Sequence, residues 1–112
     1  MIKVLNITNE PIQRHTIATE ARDVILRLYF IATVQSWFID VEYGDIRANG
    51  VRISVGVSHI QSSNMPLDFR VTDNQNIGLD PLTIDDFENG RCSLYMLEAT
   101  DMEAFRGQPV PL

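Results

Sequence analysis

The feature that most constrains this chain is an alternation of apolar and polar residues with period two, repeated along most of its length. Over residues 23–30, Val24, Leu26, Leu28 and Phe30 fall on one face, while Asp23, Arg27 and Tyr29 fall on the other beside Ile25. Over residues 36–43, Trp37, Ile39, Val41 and Tyr43 alternate with Phe38, Asp40 and Glu42. Val51, Ile53, Val55 and Val57 alternate with Arg52, Ser54, Gly56 and Ser58, and Leu67, Phe69 and Val71 with Asp68, Arg70 and Thr72. A helix needs apolar positions three and four apart, so these segments are strands. Residues 91–97 add another, with Cys92, Leu94 and Met96 on one face and Ser93, Tyr95 and Leu97 on the other. Its two apolar faces predict burial on both sides or contact with another chain.

Turn chemistry separates the strands. Gly44-Asp45 and Asn49-Gly50 are turn-forming pairs, which predict a hairpin between Tyr43 and Val51. Ser62, Ser63, Asn64 and Pro66 break the next pattern, and residues 73–80 read as a polar loop containing Gly78. After Asp80-Pro81, residues 83–88 predict one helical turn, with Thr83 as cap and Asp85 and Asp86 near its positive end. Asn89-Gly90 ends it. Residues 3–7 and 12–17 predict two short strands separated by Asn9, Glu10 and Pro11, and residues 19–22 a turn or bulge. Residues 101–105 carry mild helical character, whereas Pro109 and Pro111 keep residues 107–112 extended. The expected fold is all-β: a small antiparallel β-barrel or sandwich with one short helical turn and an extended C-terminal tail. Residues 1–103 form the single β-domain and residues 104–112 the tail.

Composition bounds the partners. With 112 residues, 45% of them hydrophobic and 21% charged, the chain suits one core. Nine basic against fifteen acidic residues give a net charge of −6, the wrong sign for holding phosphate backbones, so no nucleic-acid partner is expected. Met1 to Ile7 is broken by Asn6 too early for a signal peptide, and no run approaches the roughly 18 apolar residues of a membrane span. The expectation is a soluble chain made in the host cytoplasm, with no membrane partner. Cys92 stands alone, which excludes an internal disulfide and a sulfur-rich zinc site. The basic residues are Lys3 and eight arginines. Arginine is enriched in protein interfaces, where lysine is depleted.

Sites for chemistry are sparse. Asp73, Asp80, Asp85, Asp86 and Glu88 form an acidic run of the type that suits calcium. A calcium loop starting at Asp73 nevertheless puts Gln75 and Ile77 where Asp or Asn is needed and Ile84 where a bidentate Glu is needed, although Gly78 falls correctly. A nucleophile would need His15 or His59 as its base, and neither sits in a known catalytic context. Gly44, Gly50 and Gly56 are not spaced as a phosphate loop. No catalytic residue, cofactor or metal is therefore expected. Two other readings compete: a small carbohydrate-binding module using Trp37, Phe38, Tyr43 and Tyr95 as platforms, and a compact metal-dependent enzyme built on carboxylates around Asp85.

Taken in order, Trp37-Phe38-Ile39-Asp40, the Gly50 to Gly56 segment, Leu79-Asp80-Pro81, Asp85 to Gly90 and Leu94-Tyr95-Met96-Leu97 resemble the baseplate plug family of contractile-tailed bacteriophages. The similarity runs from about Leu26 to Leu97. It implies a structural virion protein of the tail baseplate, present in multiple copies, that contacts tail-tube, hub or wedge proteins and catalyses nothing. On that reading the expected contact residues are Asp85, Asp86 and Arg91 around the acidic turn and Arg106, Val110 and Leu112 in the tail, laid as an arm on a neighbour.

Overall fold

A computed structural model describes residues 2–19, 22–56, 59–60 and 66–98. Seven strands follow one another: β1 (Ile2–Lys3), β2 (Ile12–Ile17), β3 (Val24–Ile31), β4 (Ser36–Tyr43), β5 (Ile46–Arg52), β6 (Leu67–Asp73) and β7 (Cys92–Glu98). They form two antiparallel sheets, ordered β2-β3-β4-β5 and β1-β7-β6. The all-β expectation holds as two facing sheets and not as a closed barrel.

The period-two pattern sets which side chains meet between the sheets. Val24, Leu26 and Leu28 pair in register with Tyr43, Val41 and Ile39, so one face of β3 and β4 is apolar throughout. That face packs with Phe69, Val71, Leu94 and Met96 of the second sheet in one cluster, and Leu26, Leu28, Trp37, Ile39, Phe69, Leu94 and Met96 are completely buried. Each such side chain contributes about 1.5–3 kcal/mol on leaving water. β7 is the central strand of its sheet and is buried on both faces, at Ser93 and Leu97 as well as at Leu94 and Met96.

The alternation at residues 51–57 crosses between sheets instead of forming one strand. The β5 ladder ends at Arg52, and the Ile53 amide still donates to the Trp37 carbonyl at 2.9 Å. Val55 then bridges Val71 in parallel, and the Gly56 amide donates to the Val71 carbonyl at 3.3 Å. Residues 53–56 thus stitch β5 to β6 along one side. β1 and β2 end their sheets on the other side.

Three further expectations are corrected. Only Gly44-Asp45 turns the hairpin, with Gly44 at φ 59° between the paired Tyr43 and Ile46. Asn49-Gly50 lies inside β5 as a bulge: the register slips between Ile39 and Val41, leaving two residues opposite Asp40. Gly50 takes φ 67°, and its amide donates to Asp40 Oδ1 at 2.7 Å, so the carboxylate replaces the lost ladder bond. The short helical turn is a 3-10 turn at Ala32–Val34, while residues 83–88 form a series of turns. There Asp86, and not Thr83, caps: its Oδ2 accepts from the Leu82 and Thr83 amides at 2.8 and 2.9 Å. Finally, residues 3–7 pair only at their start, since β1 stops at Lys3 and Asn6 turns the chain at φ 62°. The mild helix at 101–105, the domain boundary after 103 and the tail at 104–112 lie outside the described residues.

Candidate functional site

The densest polar construction among the described residues is the acidic turn between β6 and β7. Phe87 anchors it by packing edge-on against Trp37, with ring centroids 5.6 Å apart, and the Trp37 indole donates to the Thr83 carbonyl at 3.1 Å. The turn is therefore seated on the core by an aromatic pair and a partly buried hydrogen bond. Cys92 begins β7 directly after it, its amide donating to the Asp86 carbonyl at 2.8 Å.

Inside the turn, Arg91 and Asp86 form a two-point fork. Arg91 Nε donates to Asp86 Oδ1 at 2.9 Å and Nη2 donates to Oδ2 at 3.0 Å. The remaining guanidinium hydrogens reach the Leu79 and Asp80 carbonyls at 3.1 and 2.6 Å, and Nη1 lies 3.6 Å from Asp73. Both partners are nearly sealed, Asp86 at 5% and Arg91 at 8% exposure. Burial alone would raise the Asp86 carboxyl, but the Arg91 guanidinium and the Thr83 amide hold it down at about 2. Asp73 is also held below its ordinary value: burial opposes this, and the Gly78 and Gln75 amides and Arg91 outweigh it.

The acidic turn brings three of the expected contact residues together in different settings. Asp85 is exposed, and its Oδ1 accepts from Asn9 Nδ2 at 3.2 Å, beside the Glu88 carboxylate that accepts the Asn9 amide at 2.8 Å. Asp86 and Arg91 lie beneath it and shape the turn. Arg106, Val110 and Leu112 lie outside the described residues. The sequence reading missed the part played by the Leu79 and Asp80 carbonyls and by Asp73. A usable signal was the Asp73 to Gly78 spacing, which lets the carboxylate fold back onto the Gln75 and Gly78 amides at 3.1 and 2.7 Å.

Residues weighed for other chemistry are bonded as follows. Cys92 is buried, and burial pushes its thiol up to about 11. His59 accepts the Ser54 amide at Nε2 (2.9 Å), while its Nδ1 donates to the Phe69 carbonyl at 2.6 Å. Both ring nitrogens of His59 thereby link Ser54 to Phe69 of β6. Trp37 has no exposed surface from which to present a sugar platform. Among the described residues, no three His, Cys, Asp or Glu side chains converge on a metal position, and no helix is long and apolar enough to cross a membrane. The Asp80 carboxylate accepts the Val55 amide at 2.9 Å. The carboxylates of the acidic run are thus used to tie loops, which is structural work.

The family described as cyanophage baseplate Pam3 plug gp18 matches residues 1–99. No curated protein matches the chain.

Proposed function

Because the chain belongs to the cyanophage baseplate plug family, we propose that it is a structural component of a contractile tail baseplate, acting through protein–protein contacts and catalysing no reaction. The observation that carries this reading is the family match over residues 1–99, which spans every described strand. The fold is compatible in physical terms. Two sheets share one closely packed core, and the buried Asp86–Arg91 pair is held by internal partners, which makes a rigid body that presents a fixed shape.

On this reading the chain is made in the host cytoplasm and occupies the virion in several copies beside hub, wedge or tail-tube proteins. Asp85 is the presented group of the acidic turn, with Asp86 and Arg91 holding that turn from below. Arg106, Val110 and Leu112 belong to an arm, residues 104–112, laid on a neighbour. Quantitative mass spectrometry of purified tails tests the assignment. The chain is expected at a fixed ratio to the other baseplate proteins, and its absence from intact tails sinks the proposal. Deleting residues 107–112 tests the arm separately: incorporation is expected to fall, and tails that fill normally with the shortened chain remove the arm's role.

A further inference from the structure

The outward face of the β2-β3-β4-β5 sheet carries a charge opposite to the rest of the molecule. Arg14, Arg27, Arg47 and Arg52 stand on it, against Asp40 and Glu42. Counted over residues within β2–β5, four positive and two negative groups give +2 on this face, so the remainder of a chain of net −6 carries −8. Arg27 lies 3.2 Å from Asp40 and Arg47 lies 3.4 Å from Glu42. Arg14 and Arg52 are exposed and have no ion pair among the described residues.

The register makes Arg14 more unusual still. It sits directly opposite Arg27 on the neighbouring strand, a like-charge pairing that destabilises a sheet. Beside it the Tyr29 and Phe38 rings stack at 5.7 Å, and Ile12, opposite Tyr29, is 62% exposed. Arg14, Arg27 and Arg47, with Asp40 and Glu42 among them, line a shallow depression of about 290 Å³. Arginines around aromatic rings are the composition of interface hot spots. Arg27 and Arg47 already meet carboxylates on this face, whereas Arg14 and Arg52 meet none among the described residues.

We propose that this face docks on a carboxylate-bearing surface of a different baseplate protein, with Arg14 and Arg52 as the charged anchors flanking the Tyr29–Phe38 stack. The inference rests on the baseplate reading above. A two-fold pairing with a second copy is disfavoured because it would set two arginine faces of like charge against each other, and nucleic acid is disfavoured because Asp40 and Glu42 stand in the middle of the face. The asymmetry between +2 and −8 orients the chain, turning this face toward a partner's acidic groups and the rest away.

The scarcity of lysine supplies the test. Lys3 is the one lysine, so in purified wild-type tails zero-length carbodiimide coupling forms few cross-links through a side-chain amine of this chain. Tails carrying Arg14→Lys or Arg52→Lys are expected to yield a new amide cross-link between the introduced amine and an Asp or Glu of another baseplate protein. In parallel, Arg14→Glu/Arg52→Glu is expected to lower copies per tail by about tenfold or more, with the purified variant melting within about 3 °C of wild type. If the lysine variants enter tails normally yet give the wild-type cross-link pattern, or cross-link only to a second copy, the docking face is overturned while the baseplate assignment stands. Binding of single-stranded oligo(dT) by the purified chain that is lost in the double variant also overturns it. A wild-type chain missing from tails overturns both.

Discussion

The acidic turn and the outer face of the four-stranded sheet use the same side chains to opposite ends. In the turn, Arg91 is sealed and bonded to Asp86 and to the Leu79 and Asp80 carbonyls; on the sheet, Arg27 is 53% exposed and shares its surroundings with Arg14, which has no ion pair among the described residues. A buried charge must be saturated or it destabilises the fold by several kcal/mol, whereas exposed pairs contribute about 0–1 kcal/mol. Arginine in the turn therefore fixes the shape of the chain, and arginine on the sheet contributes little to holding it.

The largest effect belongs to Arg91. Arg91→Ala leaves Asp86 buried without its fork and frees the Leu79 and Asp80 carbonyls, and a loss of about 3–5 kcal/mol is expected in urea unfolding at pH 7. A loss below 1 kcal/mol would show that the turn is wetter than its geometry and would erase the contrast with the sheet.

Acid sharpens the same comparison. Asp86 titrates at about 2 in the folded chain against an ordinary 3.8, so the unfolded state binds its proton first as pH falls. Its stabilisation is complete above about pH 5, declines as pH drops through 4 and 3, and is gone below about 2; it amounts to about 2 kcal/mol. Asp73, lowered in the same direction, adds to this acid limb. Urea midpoints measured from pH 7 to pH 2 should fall accordingly, and Asp86→Asn should flatten the curve while lowering its pH 7 plateau.

What the sequence disclosed follows from which forces are local. Strand positions were legible because Val24, Leu26 and Leu28, or Trp37, Ile39 and Val41, carry the period-two signal within a single segment. Asn49-Gly50 misled because that pair suits a tight turn and a bulge equally, and what decides between them is Asp40, ten residues away, taking the Gly50 amide. Residues 83–88 misled for a related reason. A helical turn and an Asp-capped set of turns share their local sequence, and the outcome rests on Arg91, which turns the Asp86 carboxylate inward. The arginine face was unreadable for want of register. Arg14, Arg27 and Asp40 become neighbours only once β2, β3 and β4 are aligned.

Asp40 is where the two kinds of site meet, and it predicts a middling effect. Its carboxylate accepts from the Gly50 amide at 2.7 Å and the Tyr29 hydroxyl at 3.2 Å, and pairs with Arg27 at the rim of solvent. Water can replace these partners, so Asp40→Ala should lower stability by about 1–2 kcal/mol, less than Arg91→Ala. Burial and the Asp40 charge both raise the Tyr29 hydroxyl above its ordinary value. Removing the carboxylate should therefore lower the Tyr29 titration midpoint, which ultraviolet titration against Tyr29→Phe resolves.

The smallest effect is the one with reversed sign. Arg14→Glu replaces a like-charge pair across β2 and β3 with an opposite-charge one facing Arg27, and cross-strand pairs of this kind are worth about 0.2–1 kcal/mol. The isolated chain should become slightly more stable, by a few tenths of a kcal/mol at low salt, and the gain should fade as salt screens the pair. Thermal unfolding at low and high ionic strength measures both. A fold improved by losing Arg14 would mean that the residue is kept for something other than the fold, whereas a destabilised Arg14→Glu would place it with Arg91 among the groups that hold the molecule together.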